Sequence, residues 1–288
     1  MNKTSKLTNN INSFEIPKSI LYTGKSLQVI SSNWATKFAA KLFSTPLKFK
    51  TPEREIMMRD SAKKEMIEIS RIKKDIMVYK YGFSKNKVLL VHGWAGRGTQ
   101  LYNIADKILE NKMMVISFDA PAHGLSMGKT TTMLEFLEAI KEIDKLYGPF
   151  KAAIGHSFGG MALLNAVGSN LNINSLVTIG ADNSIREIIK QFVRKIELKP
   201  KIANDLVTLL NKKYGINVDK FTSQNAAKKV NIPTLVIHDS QDKYVPVSSA
   251  IEIRQNLKNG ELLITNGLGH HKIFRDPQII QRIISFIT

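Results

Sequence analysis

One serine in the chain stands where a serine can become reactive. It is the centre of Gly155-His156-Ser157-Phe158-Gly159, with Gly160 behind it. A short apolar run at 150–154 precedes this stretch and a helical pattern at 158–167 follows it. Reversing from strand to helix in so few residues forces the central residue into a strained backbone conformation. The hydroxyl then projects from the tip of the turn, and the amino end of the helix favours negative charge on a bound oxyanion. A serine hydroxyl alone is a poor nucleophile and needs a base, which in turn needs an acid to orient it. Two later segments supply candidates. Asp239-Ser240-Gln241-Asp242-Lys243-Tyr244-Val245-Pro246 follows a predicted strand at 234–238, and Gly267-Leu268-Gly269-His270-His271 follows another at 261–265. Both lie just beyond the carboxyl ends of strands, the edge on which open α/β sheets carry their sites. The order along the chain is serine, acid, histidine.

These residues have to be positioned by a regular scaffold, and the pattern after residue 86 describes one. Short β-branched runs at 87–91, 113–118, 150–154, 175–179, 234–238 and 261–265 alternate with helical stretches at 100–110, 131–147, 158–167 and 248–257, and a C-terminal helix closes the series. Strands of about five residues alternating with helices predict a mostly parallel sheet covered on both faces. Ahead of it, residues 66–81 alternate as an antiparallel pair would. The alternation breaks at 181–230. There Ile185, Ile188, Ile189, Phe192, Val193 and Ile196 share one helical face, and 205–214 reads as a second helix.

In combination these motifs resemble the α/β-hydrolase superfamily, over roughly residues 65–288. The resemblance implies an α/β-hydrolase fold with a helical lid inserted late in the sheet. It divides the chain into a basic, helical N-terminal extension (1–64), a core (65–180 and 231–288) and a lid (181–230). By the same resemblance Ser157 is the nucleophile and His270, in the family's Gly-His, is the general base. Asp242 fits the family's Asp-x-x-Val-Pro and orients the imidazole; Asp239 and His271 fit less well. Val91-His92-Gly93-Trp94 resembles the oxyanion-loop motif, which assigns the backbone N–H groups of Trp94 and Phe158 to the oxyanion hole and makes His92 a brace for the loop. The stretch Phe118 to Ser126 resembles a loop-shaping turn of the family, with Ala122 where glycine is usual. The activity implied is that of a serine esterase, cleaving a carboxylic ester or thioester through an acyl-enzyme. Haloperoxidase-like or acyl-transfer chemistry would use the same triad, and the fold also serves as a ligand receptor with vestigial hydrolysis.

The rest of the sequence narrows the field. The chain has 288 residues and 0 cysteines, which excludes thiol catalysis, thiolate metal sites and disulfide scaffolding. His123-Gly124-Leu125-Ser126-Met127-Gly128-Lys129-Thr130 ends like a phosphate loop but has histidine where that loop needs its first glycine. The 6 histidines show no metal-ligand spacing, so neither cofactor nor metal is expected. The net charge of +18 is spread over scattered lysines without a nucleic-acid-binding motif. No apolar run is long enough to span a bilayer, and the first twenty residues lack the apolar core of a signal peptide, so a cytoplasmic location is expected. The partner is a small-molecule ester or thioester, with an acyl chain under the lid or an anionic group at its basic rim. A helical pattern at 33–49 with lysines between its aromatic residues reads as a helix packed on the core, cut short by Pro46. The same pattern suits peripheral membrane contact.

Overall fold

The computed structural model describes residues 16–288; the first fifteen residues of the expected N-terminal extension lie outside the described residues. Eight strands form one sheet: β1 (Lys63–Ile69), β2 (Lys74–Tyr81), β3 (Lys87–Val91), β4 (Met114–Phe118), β5 (Phe150–His156), β6 (Ile173–Ile179), β7 (Thr234–Asp239) and β8 (Gly260–Thr265). Their order is β1-β2-β4-β3-β5-β6-β7-β8. All neighbours from β4 to β8 pair in parallel, while β2 runs antiparallel to both β1 and β4. The central strands β3, β5 and β6 are buried on both faces, which is why they read as continuous apolar runs. Strand β1 is different: its exposed positions include Lys63, Lys64, Glu65 and Glu68, charges that discourage another chain from pairing with this sheet edge.

Twelve α-helices and two short 3₁₀ turns complete the described chain. Three precede the sheet, α1 (Lys18–Ile30), α2 (Ser32–Phe43) and α3 (Glu53–Ser61). Between strands lie α4 (Tyr102–Glu110), α5 (Met133–Tyr147), α6 (Phe158–Val167), α7 (Ile185–Lys195), α8 (Lys201–Tyr214), α9 (Ser223–Ala227) and α10 (Val247–Asn256). The short α11 (Gly269–Lys272) and the terminal α12 (Pro277–Ile287) follow β8. Helices α3, α4 and α12 cover one face of the sheet through Met58, Ile104, Ile108, Ile280 and Ile283, while α5, α6 and α10 cover the other. No helix among the described residues is long and apolar enough to cross a membrane.

The segment 181–230, between β6 and β7, is helical throughout its regular parts, with α8 beginning at Lys201 rather than near 205. It does not stand alone. Helix α2 packs along α8, burying Ala35 and Ala39 completely, and α1 packs on α2. The expected 33–49 helix is thus α2, which ends at Phe43 ahead of Pro46. Helices α1 and α3 fall within the expected helical extension, but no periodic pattern in their sequences places them. The stretch forming α1, KSILYTGKSLQVI, holds Thr23, Gly24, Val29 and Ile30, all weak helix formers. Its helicity comes from tertiary contact: a Cβ on Gly24 would lie 3.2 Å from Leu198, beyond the end of α7, and 3.4 Å from Phe38 of α2.

Candidate active site

Ser157 adopts φ 53° and ψ −121°, the strained conformation that the strand-to-helix reversal demands. Its N–H donates to the Ile179 carbonyl at 2.8 Å, fixing the turn to the end of β6. Gly159 is required by contact: a Cβ there would fall 2.4 Å from the carbonyl oxygens of Val91 and His92. Beside Ser157 the chain leaves β6 through Gly180, at φ 59°, where a Cβ would meet His270 Nδ1 at 3.2 Å and Asp242 Oδ2 at 3.5 Å. A bare backbone at this point lets the His–Asp pair lie against the strand end that holds the serine. Ser157 Oγ and His270 make no hydrogen bond to each other.

His270 Nδ1–H donates to Asp242 Oδ2 at 2.6 Å, and the Asp242 side chain is only 1% exposed. The other oxygen, Oδ1, accepts the N–H groups of Tyr244 at 2.8 Å and Val245 at 3.0 Å. Burial disfavours the Asp242 carboxylate, but the bond to His270, the histidine's charge and the two N–H groups outweigh it and hold the carboxyl below its usual range. In the neutral imidazole this bond favours the tautomer with its proton on Nδ1 and its lone pair on Nε2. Asp239 has a different task. It accepts from Thr265 Oγ1 at 2.7 Å, Leu268 N at 3.0 Å and Gln241 N at 2.9 Å, so it ties the loop carrying His270 to the end of β7. Burial again opposes ionisation, yet these bonds depress the Asp239 carboxyl to about 2. His271 is pushed down to about 4, first by burial and then by the neighbouring His270 and Arg275 charges.

All 6 histidines gather at the carboxyl edge of the sheet, each on or after a different strand end except the adjacent pair after β8. His156 Nε2–H donates to the His270 carbonyl at 2.9 Å, so the residue before the serine braces the histidine loop. Burial above all, with repulsion from His270 and His271, keeps His156 well below its ordinary pKa and neutral. His92 donates from Nδ1 to the Gly93 carbonyl at 2.7 Å and accepts the Ala120 N–H on Nε2 at 2.9 Å, as a loop brace should. His123 donates from Nδ1 to Pro121 O at 3.1 Å and accepts the Ala95 N–H on Nε2, also at 3.1 Å. The stretch from Phe118 is held by Asp119, which accepts from Gly98 N at 2.6 Å, Leu125 N at 2.8 Å and Tyr79 Oη at 3.0 Å. Ala122 takes φ 67°, the conformation that makes glycine usual there. With Ala95 N–H engaged, the neighbouring Trp94 N–H makes no hydrogen bond among the described residues, and nor does Phe158 N–H at the start of α6. Two backbone donors beside Ser157 are therefore unpaired among the described residues.

Four aromatic rings cluster around Trp94 and Phe158 as a roof. The Trp94 and Phe158 rings are 5.4 Å apart, and Phe43 reaches over from α2 to lie 6.4 Å from Trp94 and 5.4 Å from Phe192 of α7. Phe43 was no candidate in the sequence, because nothing near it in the chain points to Trp94. Asp182, just past β6, is a second buried carboxyl in the electrostatic reach of His270. Burial raises its pKa, and its Oδ1 accepts from Asn183 N at 2.6 Å and Ser184 N at 3.3 Å. Among the described residues no group of three or more histidine, aspartate or glutamate side chains is arranged to hold a metal.

Residues 86–204 match the family model described as alpha/beta hydrolase fold, and residues 214–288 match the model described as TAP-like protein. No curated protein matches the chain. Among solved structures, a putative lipase from Acinetobacter baumannii AYE superposes with a TM-score of 0.62 at 20% identity, over 83% of this chain and 96% of that one. A membrane phospholipase A described as a bacterial virulence factor gives 0.62 at 16% identity over 94% and 98%. A bromoperoxidase from Bacillus anthracis gives 0.61 at 17% over 78% and 99%. The chain belongs to the α/β-hydrolase superfamily. Identities of 16–20% carry the fold and leave the reaction to be argued from the site.

Proposed function

We propose that the protein is a serine hydrolase that cleaves a carboxylic ester or thioester through an acyl-enzyme. The observation that carries this reading is the 2.6 Å bond from His270 Nδ1–H to the buried Asp242 carboxylate, which leaves Nε2 as the proton acceptor. In acylation Ser157 Oγ bonds to the substrate carbonyl carbon while its proton passes to His270 Nε2. The Trp94 and Phe158 N–H groups stabilise the oxyanion, each donor contributing roughly a hundred- to a thousandfold in rate. As the carbonyl re-forms, the bond to the alcohol or thiol breaks and His270 returns the proton to that leaving group. Water, deprotonated by His270, then attacks the acyl-enzyme; the carboxylic acid leaves and Ser157 recovers its proton.

The roof of Phe43, Trp94, Phe158 and Phe192 supports an apolar acyl group, because the four rings present mostly hydrocarbon surface. Segment 181–230, with α2 lying on it, then acts as the lid. A fluorophosphonate probe tests the reading without a guess at the substrate. Stoichiometric adduct at Ser157 by intact mass and peptide mapping, absent in Ser157→Ala, is the expected result. No adduct on the folded wild-type protein would sink the hydrolase and favour a ligand receptor.

A further inference from the structure

The corner where α1 turns into α2 leaves a set of large apolar side chains uncovered. Tyr22, Val29, Ile30 and Trp34 are 66%, 87%, 67% and 54% exposed. Lys18, Tyr22, Lys25 and Val29 recur at intervals of four, three and four residues, so they form one outward stripe along α1. Ile30 and Trp34 flank the single linking residue, Ser31. The inner face of the corner is already occupied, since Gly24 lies against Leu198 and Phe38. The outer side chains are therefore not held back for a place in the core.

The segment that forms the corner is basic. Residues 16–52 contain Lys18, Lys25, Lys37, Lys41, Lys48 and Lys50 and not one aspartate or glutamate. Lys25 pairs with Glu197, but no carboxylate among the described residues pairs with Lys18, Lys37 or Lys41. Beside them a cleft of about 280 Å³ opens between α2 and α8, rimmed by Lys37, Lys41 and Lys213 and walled by Leu209 and Leu210. An aromatic and aliphatic tip framed by unpaired lysines matches the boundary of an anionic bilayer. There the tip enters the acyl region and the ammonium groups stay among the phosphates. A protein partner of ordinary mixed charge has no such need for a surface where Glu197 is the one carboxylate paired with the lysines of this segment among the described residues.

We propose that the α1–α2 corner docks the protein on an anionic lipid surface, with Val29, Ile30 and Trp34 inserted and Lys18, Lys37 and Lys41 against the headgroups. The proposal does not depend on the chemistry at Ser157. It is tested on the full chain with vesicles of phosphatidylcholine alone and of phosphatidylcholine with phosphatidylglycerol. The wild-type protein is expected to sediment with the anionic vesicles and not the neutral ones, less so as salt rises. Emission from its 2 tryptophans is expected to shift to the blue as Trp34 leaves water. Ile30→Ser/Trp34→Ser lowers the partition coefficient by about tenfold or more, and Lys37→Gln/Lys41→Gln lowers it on anionic vesicles, with Tm and fluorophosphonate labelling unchanged in both. Failure of the wild type to bind anionic vesicles overturns the proposal and leaves the corner to a protein partner. Undiminished binding by a folded Ile30→Ser/Trp34→Ser protein overturns it equally.

Discussion

Asp242→Asn separates orientation of the base from everything else at the site, because the structure dictates which way the new amide must face. Oδ1 of Asp242 receives two backbone N–H groups, from Tyr244 at 2.8 Å and Val245 at 3.0 Å. An asparagine keeps its carbonyl oxygen there, since turning it over forfeits both bonds, each contributing about 1 kcal/mol, and sets its NH₂ against two donors. The NH₂ therefore occupies the Oδ2 position and donates to His270 Nδ1. That stabilises the tautomer with its proton on Nε2, which cannot accept the proton of Ser157. Recovering the productive tautomer points one buried N–H at another, leaving two donors unpaired at about 1–3 kcal/mol each. The carboxylate's support for the imidazolium is lost as well. The expected fall in kcat/KM on a short-chain p-nitrophenyl ester is about 10³- to 10⁴-fold, with a matching fall in the rate of fluorophosphonate labelling. Tm should change little, since the amide keeps the two backbone bonds. A loss of less than about tenfold in a folded variant would refute the tautomer argument. Asp182, the other buried carboxyl near His270, would then be the next candidate for the orienting acid.

Asp239 should show itself in stability rather than in tautomer chemistry. Its carboxyl is 1% exposed and its pKa is depressed from 3.8 to about 2, so it contributes stability that is present above pH 4 and lost as pH falls toward 2. The whole contribution is about 2 kcal/mol, of which roughly half is gone by pH 3. Denaturant midpoints of the wild type should therefore fall more steeply between pH 6 and pH 3 than those of Asp239→Asn, and parallel curves would count against the assignment. Phe43→Ala should uncover the space over Trp94 and Phe158 at a cost in stability of about 2 kcal/mol, less than for a fully buried ring. The ratio of kcat/KM for an eight-carbon ester to that for a four-carbon ester should rise by about tenfold; an unchanged ratio would make Phe43 a packing residue only.

The parts of the fold legible in the sequence are those whose cause is local. The apolar run at 87–91 marks strand β3, Lys87–Val91, because a strand buried on both faces has to be apolar at its buried positions. The turn at Ser157 was legible for a similar reason. Its glycine at 159 is dictated by carbonyl oxygens 2.4 Å from where a Cβ would sit, and a motif of five residues records that contact. Helix α1 had no such record, since the residues that stabilise it, Leu198 among them, lie far along the chain. The histidines are scattered along the chain without metal-ligand spacing. Parallel strands return every connection to the same edge, so residues far apart in sequence arrive together. Only the carbonyl and N–H partners of His92, His123 and His156 reveal that they brace loops.

The same division explains why the reaction class is easier to read than the substrate. The candidate nucleophile, base, acid and oxyanion donors each sit at a strand end or helix start, where a short motif can specify them. The roof draws Phe43 from α2, Trp94 from the loop after β3, Phe158 from α6 and Phe192 from α7. Two of these four, Trp94 and Phe158, fall inside motifs. The other two come from segments whose position depends on how α2 lies along α8, a contact buried through Ala35 and Ala39 and carrying no motif. On the proposed reading, acyl selection is therefore encoded in the packing of α2 on α8, two helices far apart in the chain. Substitutions at that packing surface should change substrate preference without touching a residue that does chemistry.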